Sequence, residues 1–274
     1  GLVGELYSQT LQASGGTSPL AWSILNGFLP AGLFLNSSTG EISGTSTTVE
    51  TASFRVQVTD ANNQTATKDL SIIVHGNTPT GSNVAVGPLN GVTLTFTQVT
   101  QEGQTTVASS SSGTTPPSGF KLGNPPTYYS VSTTAQFNPP VKVCVNYDET
   151  TVKQEKNLKL FHFENGVWVN VTISLDTVSN IICGSVSSFS DFGLFEDITV
   201  DHIADEVRSF NLEPGIQQGL LAKLDAAKSA IERGQNKTAR NVLKAFGNLI
   251  KAQEGKKITQ DQAQILTTDA RALI

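Results

Sequence analysis

Cys144 and Cys183 are the only two cysteines in the chain, and they lie 39 positions apart (183 − 144). Each falls in the middle of a predicted strand. Two buried free thiols are one interpretation. Zinc is disfavoured because a closed site needs four ligands and no histidine lies near either cysteine in sequence. The even count and the Ser-, Thr-, Asn- and Gly-rich composition favour a disulfide between neighbouring or facing strands.

Oxygen-bearing side chains at Asp60, Asn62 and Asn63 follow a predicted strand, and such oxygens suit calcium. One carboxylate is little charge for a calcium site, and the same residues also make a hairpin turn. We therefore predict a turn there, with no metal and no cofactor in the chain. Trp22 is a second candidate, as a platform for a sugar ring, but it lies in an alternating strand and is predicted to be core.

Charged residues make up 15% of the chain, well below the roughly 25% of an average soluble domain. That balance is typical of extracellular β-sandwiches. The formal net charge is −5, and the basic residues are not clustered with aromatic ones, so we predict no nucleic-acid partner. The longest apolar runs fall far short of the ~20 residues of a membrane span. The chain has no Met, so we expect a processed product or a fragment.

The first 75 residues alternate short apolar–polar runs with Gly- and Asn-rich turns, which predicts an all-β sandwich. The predicted strands are 6–13, 20–25, 33–35, 41–43, 51–59 and 65–74. The segment contains the motifs Gly4, Tyr7-Ser8, Leu11-Gln12-Ala13-Ser14-Gly15-Gly16, Leu29-Pro30-Ala31-Gly32-Leu33, Thr39-Gly40-Glu41-Ile42-Ser43-Gly44 and Val56-Gln57-Val58-Thr59-Asp60. In these motifs it resembles the putative-Ig, cadherin-like modules of bacterial secreted and surface proteins. The resemblance implies a spacer or adhesive module without enzymatic activity.

Residues 76–82 are turn formers and predict a linker, and 83–197 predict a second β-sandwich. Its predicted strands are 84–86, 92–99, 128–137, 141–147, 158–164, 167–173 and 181–186. Asn165-Gly166 predicts a type I′ hairpin turn. The low-complexity run 109–119 predicts a mobile surface loop that adds nothing to a core.

The segment 83–197 contains the motifs Gly91-Val92-Thr93-Leu94-Thr95-Phe96, Leu122-Gly123-Asn124-Pro125-Pro126-Thr127-Tyr128-Tyr129, Val143-Cys144-Val145-Asn146-Tyr147-Asp148, Leu160-Phe161-His162-Phe163-Glu164-Asn165-Gly166-Val167-Trp168 and the stretch 181–195. In these motifs it resembles a C-terminal β-domain of large bacterial surface proteins.

The end of that stretch also looks like the last strand of β-domains that cut themselves. In those domains a His two positions before a Ser or Thr removes the hydroxyl proton. Here the bond is Phe189–Ser190, and Ser188 stands where the base would be. None of His75, His162 and His202 is predicted to join a serine and an acid. The sequence therefore predicts an intact chain and no catalytic residue.

From residue 201 the apolar residues recur at helical spacing, with breaks at Glu213-Pro214-Gly215, Gly234 and Gly255. Four amphipathic helices with short loops predict a compact bundle over 201–274. Thr259 and Gln262 predict a capping box for the last helix. The segment resembles the FIMAH domain of bacterial extracellular proteins, and the likeness lies in Phe210-Asn211-Leu212, Leu220-Leu221-Ala222-Lys223-Leu224-Asp225-Ala226-Ala227, Ala239-Arg240-Asn241-Val242-Leu243-Lys244-Ala245-Phe246 and Gly255-Lys256-Lys257-Ile258-Thr259.

Two functions fit these patterns. The first is a non-catalytic extracellular protein of the bacterial cell surface. Its modules would be structural or adhesive, as the C-terminal part of a longer chain or as a subunit of an appendage. Its partners would be other surface or extracellular proteins, including copies of itself. The second is an accessory binding module of a secreted enzyme whose catalytic domain precedes Gly1.

Overall fold

The computed structural model describes residues 1–123, 127–152 and 154–273, except for the side chain of Pro88. Asn124, Pro125 and Pro126 of the 122–129 motif lie outside the described residues, and so does Ile274, where the predicted helical unit ends.

Internal contacts divide the chain into two compact units. The first unit comprises Gly1–Ala108, Val131–Val143 and Ser185–Phe189, and the second comprises Ser109–Ser130, Cys144–Gly184 and Ser190–Ile274. The predicted division into 1–75, a linker at 76–82, 83–197 and 201–274 stays a prediction.

The first 75 residues fold into two antiparallel three-stranded sheets. The strands are β1 (Leu6–Thr10), β2 (Ala21–Gly27), β3 (Leu33–Leu35), β4 (Glu41–Thr45), β5 (Glu50–Thr59) and β6 (Thr65–Val74). Their orders are β1-β4-β3 and β2-β5-β6. The alternation in β5 buries Phe54 and Val56, which pack with Leu33, Ile42 and Ile72. The predicted Ig-like sandwich is confirmed.

The segment predicted as a linker is hydrogen-bonded to the rest of the first unit. Asn77 Oδ1 accepts the Thr105 N–H at 2.8 Å, and Asn77 Nδ2 donates to the Thr105 carbonyl at 2.8 Å. The hydroxyls of Thr78 and Thr105 lie 2.5 Å apart, and Thr78 is fully buried. The Asn77 side chain thus forms the two hydrogen bonds with the Thr105 backbone that a neighbouring strand would form. The composition of the segment alone does not reveal this pairing.

The remaining strands of the chain are β7 (Gly81–Leu89), β8 (Val92–Gln101), β9 (Thr105–Ser110), β10 (Phe120–Leu122), β11 (Tyr128–Thr133), β12 (Gln136–Asn146), β13 (Leu158–Glu164), β14 (Val167–Asn170), β15 (Thr172–Asp176), β16 (Ile181–Val186) and β17 (Asp191–Asp197). In the first unit β7, β8 and the start of β12 form a sheet. In the second unit one sheet has the order β14-β13-β17-β11, with β10 also on β17, and the other has β15-β16-β12. Two short 3-10 helices, Glu149–Thr151 and Glu155–Asn157, precede β13.

The serine-rich run 109–119 is anchored to an aromatic cluster of the second unit. Tyr128 donates its hydroxyl to the Thr114 carbonyl at 3.0 Å, and the Trp168 ring N–H donates to the Thr115 carbonyl at 2.9 Å. Both rings pack with Phe195. The run lies at the surface and contributes no side chain to a core, as predicted, but its backbone accepts hydrogen bonds from the two aromatic side chains.

The C-terminal part of the second unit is the predicted set of four helices. They are α1 (Val200–Ser209), α2 (Pro214–Glu232), α3 (Asn236–Gln253) and α4 (Gln260–Ala272). Leu220, Leu224, Phe246, Ile250 and Leu266 are at most 1% exposed and form their shared core. The predicted capping box of Thr259 and Gln262 begins α4.

We expect this helical part to fold without the β-strands, because its core contains residues from 198 onward only. The fragment should begin at residue 198 rather than 201, since Ile198 and Val200 belong to the core and Thr199 caps α1. Circular dichroism of residues 198–274 should show a helical protein with a cooperative thermal transition. A disordered spectrum would contradict this expectation.

Candidate functional site

The structure bonds Cys144 to Cys183. The two residues lie on β12 and β16, which are neighbours in one sheet, and their Cα atoms are 4.0 Å apart. Cys183 is buried. The bond joins residues 39 positions apart in sequence, and the loop that it closes contains β13, β14 and β15. It therefore restricts the unfolded chain across much of the second unit.

A serine, a histidine and a glutamate converge beside the hairpin of β13 and β14. Ser190 Oγ lies 2.9 Å from His162 Nε2, and His162 Nδ1 lies 2.7 Å from Glu164 Oε1. Ser190 Oγ also lies 2.5 Å from the Phe163 carbonyl oxygen. Ser190 is half-buried and His162 is fully buried. This order of groups is the one that activates a serine hydroxyl by a base held by an acid.

Strand register explains why these three side chains meet. In the antiparallel pair of β13 and β17, His162 is opposite Phe192. Side chains of opposite residues point to the same face, as do those two positions apart on one strand. Glu164 is two positions from His162 on β13. Ser190 directly precedes β17 and is two positions from Phe192, and its hydroxyl reaches His162. All three functional side chains therefore share one face of the sheet, where the Phe192 ring stacks on His162 at 4.4 Å.

The hydrogen bonds of His162 indicate its tautomer. Glu164 Oε1 accepts a hydrogen bond from the Nδ1–H group of His162, so in the neutral ring Nε2 carries the lone pair. That lone pair faces the hydroxyl of Ser190. Burial lowers the pKa of His162 below its usual value, although Glu164 acts in the opposite direction. The ring is therefore neutral and able to accept a proton at neutral pH.

The expectation that no histidine joins a serine and an acid is wrong for His162. His75 instead pairs with Glu102 at 3.1 Å, and His202 lies in a separate buried cluster. Sequence reasoning missed the site because Ser190 and His162 are 28 positions apart and the pairing of β13 with β17 was not predicted. The usable signal was the spacing of His162 and Glu164, which puts a base and an acid on one strand face.

Acid should destabilise the protein in part through His162. Its folded pKa lies below the unfolded value of about 6.5, so the unfolded state binds more protons between those values. The contribution of the neutral His162 to the free energy of unfolding is complete above pH 6.5, and it is lost as the pH falls toward the folded pKa. Urea unfolding at pH 7.5, 6.0 and 5.0 measures the free energy of unfolding. This free energy should decrease less toward low pH for His162→Gln than for the unaltered chain. His75→Gln is the matched control, and an unchanged slope for His162→Gln would contradict the prediction.

A second cluster of charged side chains is buried in the second unit. The Lys121 ammonium on β10 lies 2.6 Å from Glu206 Oε1 on α1 and 2.9 Å from Asp269 Oδ2 on α4. His202 is fully buried beside them, with Nε2 3.4 Å from Glu206 Oε1 and Nδ1 3.7 Å from Glu196 Oε2. Burial raises the pKa of Asp269, against the effect of Lys121. Burial also opposes the charge of Glu206, but His202 and Lys121 lower its pKa.

His202, Glu206 and Asp269 offer three ligand atoms within 4.8 Å of one another. The cation that the structure places between the two carboxylates is the ammonium of Lys121. This cluster therefore acts as a charge-paired contact between β10 and the helices α1 and α4.

Asp60, Asn62 and Asn63 form the turn between β5 and β6. Asp60 Oδ1 accepts the N–H groups of Asn62 and Gln64 at 2.9 and 2.8 Å, and Oδ2 accepts that of Thr17 at 3.0 Å. These bonds lower the pKa of Asp60, with the one from Thr17 acting most strongly. The carboxylate thus stabilises the turn. Trp22 is 8% exposed and contacts Gly40, as expected for a core residue.

Family comparisons identify the two ends of the chain. Residues 2–75 match the family model of the putative Ig domain, and residues 203–274 match that of the FIMAH domain. Both recognitions made from the sequence are confirmed. The chain therefore combines an N-terminal Ig-like module with a C-terminal FIMAH domain, the composition of a surface or binding module.

Solved structures give only weak similarities. A putative alpha-galactosidase from Bacteroides fragilis is 29% identical over 30% of this chain and 18% of its own, with a TM-score of 0.25. Cadherin domains 3–6 of protocadherin gamma B2 are 12% identical over 65% and 31%, with a TM-score of 0.21. CBM51-2, in complex with GlcNAc, and INT domains of Clostridium perfringens ZmpB are 11% identical over 85% and 55%, with a TM-score of 0.17. These values support no functional argument.

A search of curated proteins finds no match. Within the described residues, no helix has both the length and the apolar character that a bilayer span requires.

Proposed function

We propose that this chain is an extracellular protein of the bacterial cell surface whose modules hold or bind other extracellular proteins, including copies of itself. It turns over no external substrate. The Ig-like sandwich and the FIMAH domain at its ends support this function.

The disulfide of Cys144 and Cys183 is the observation that carries the proposal. Such bonds persist in oxidising compartments and are reduced by the thiol systems of the cytosol. Cys183 is buried on β16, and Cys144 is partly buried on the neighbouring strand β12. A disulfide between neighbouring strands is therefore the kind of bond that an extracellular protein keeps, and it supports the proposed location.

Labelling of intact cells with a membrane-impermeant amine reagent tests the location. The chain has lysines on its surface, including Lys142, so it should be labelled on cells or recovered from the medium. A double variant, Cys144→Ser with Cys183→Ser, should reach the surface in smaller amounts because it unfolds more readily. Recovery of the unaltered chain only from the reducing cytosol would overturn the proposal.

A further inference from the structure

We propose that Ser190 is a nucleophile that attacks the carbonyl of the peptide bond preceding it, with His162 as its base and Glu164 as the group that orients the base. The chain would then cut itself once, between residues 189 and 190. This proposal does not depend on the location of the protein, and one cleavage per molecule is compatible with a chain that turns over no substrate.

The first argument is the geometry around the hydroxyl. A base must lie within about 2.6–3.2 Å of the proton-bearing atom that it serves. His162 Nε2 is 2.9 Å from Ser190 Oγ, and Glu164 holds the opposite ring nitrogen at 2.7 Å. Since the Nδ1–H group donates its hydrogen bond to Glu164, Nε2 is free to accept the proton of Ser190. Burial also keeps His162 neutral at neutral pH, which a base requires.

The second argument identifies the carbonyl that is attacked. His162 is fully buried, and Ser190 Oγ is held by both His162 and the Phe163 carbonyl, which limits the approach of an external acyl group. The carbonyl carbon of residue 189 needs no approach, because it is joined to Ser190 through the backbone nitrogen. Attack closes a five-membered ring, so the reacting atoms are held together by covalent geometry.

The reaction balances without another protein group. Ser190 Oγ bonds to the carbonyl carbon of residue 189, and its proton moves to His162 Nε2. The carbon–nitrogen bond then breaks, and the Ser190 nitrogen takes the proton from His162 to become a free amine. An ester between residue 189 and Ser190 Oγ remains. Water hydrolyses this ester to a carboxylate and restores the Ser190 hydroxyl.

The base in this proposal comes from a neighbouring strand. The sequence places Ser188 where self-cutting strands carry their histidine, and on that ground alone it predicts an intact chain. The structure supplies an imidazole from β13 at hydrogen-bond distance. The hydrogen bond to the Phe163 carbonyl competes for the same proton, so we expect a slow reaction that follows folding.

The test is intact-mass analysis of the purified full chain, denatured after incubation at pH values from 5 to 9. We expect pieces corresponding to residues 1–189 and 190–274 to accumulate. The rate of cutting should rise as the pH increases. It should reach its plateau at a pH lower than about 6.5, the usual histidine pKa. In a second arm, hydroxylamine at neutral pH should increase the cutting, because it attacks the ester. A chain that stays whole in both arms would overturn the proposal.

Variants separate the base from a structural role. Ser190→Ala should abolish cutting, and His162→Ala should slow it by about 10²–10⁴-fold. Added imidazole should restore part of the rate of His162→Ala, which a purely structural defect would not allow. Ser188→Ala is the matched control and should cut at the rate of the unaltered chain. If His162→Ala cuts at the unaltered rate, or if the pH profile is flat, the role of His162 is wrong.

Discussion

Replacing Lys121 with methionine should lower the free energy of unfolding by about 3–5 kcal/mol. The Lys121 ammonium lies within 3 Å of two carboxylates, those of Glu206 and Asp269, whose side chains are 3% and 8% exposed. Methionine has a similar length but no charge, so two nearly buried carboxylates lose a shared cation in a medium of low dielectric constant. Urea unfolding followed by circular dichroism at neutral pH measures the loss.

Lys121→Arg keeps the positive charge, so it should lower the free energy of unfolding by less than Lys121→Met does. Lys142→Met is the matched control, since Lys142 is an exposed lysine on a strand, and it should change the free energy of unfolding by less than about 0.5 kcal/mol. The loss in Lys121→Met should shrink in acid, because burial raises the pKa of Asp269 and this carboxyl is protonated first. A loss for Lys121→Met no greater than that of Lys142→Met would show that the cluster does not stabilise the fold.

Phe246→Ala should cost about 3–5 kcal/mol of unfolding free energy through the cavity it creates. Phe246 lies on α3 with no exposed surface, and it packs in the core that α1, α2, α3 and α4 share. The helical signal in thermal unfolding gives the measurement. Ile265→Ala on α4 is the control, because Ile265 is 41% exposed, and its loss should be much smaller. Equal losses for the two variants would contradict the assignment of Phe246 to the centre of the core.

Local patterns predicted the elements whose signals lie within one segment. The strands Leu33–Leu35, Thr65–Val74, Leu158–Glu164 and Ile181–Val186 have the predicted bounds, and the Asn165-Gly166 turn joins β13 to β14 with positive φ at both residues. The four helices follow from apolar spacing and terminal signals. These features depend on residues a few positions apart, which a sequence displays directly.

Breaks inside apolar runs were not predicted. The predicted strand 167–173 is two strands, β14 and β15, which are separated at Val171. The predicted strand 128–137 is likewise split, because the Thr133 hydroxyl accepts the Ala135 N–H and turns the chain. β17 is not among the predicted strands, and the chain bends between β16 and β17. Such breaks depend on which strands pair with one another in the fold. The alternation of apolar and polar residues within one segment does not show this pairing.

The three sites differ in how far sequence could predict them. The cysteine pair was predicted because only one pairing exists for two cysteines. The meeting of Ser190, His162 and Glu164 depends on the register of β13 against β17. The contact of Lys121 with Glu206 and Asp269 joins residues 85 and 148 positions apart. No local pattern contains such distances, so only the fold reveals both clusters.

The most direct test of a permanent, extracellular fold is the redox state of Cys144 and Cys183 in protein isolated from the producing cells. Free thiols are blocked with an alkylating reagent during lysis, without reductant, and the intact mass is measured. We predict no alkylated cysteine, and after reduction two alkylated cysteines with a loss of about 2–4 kcal/mol in unfolding free energy. Two alkylated thiols in the unreduced protein would contradict the account.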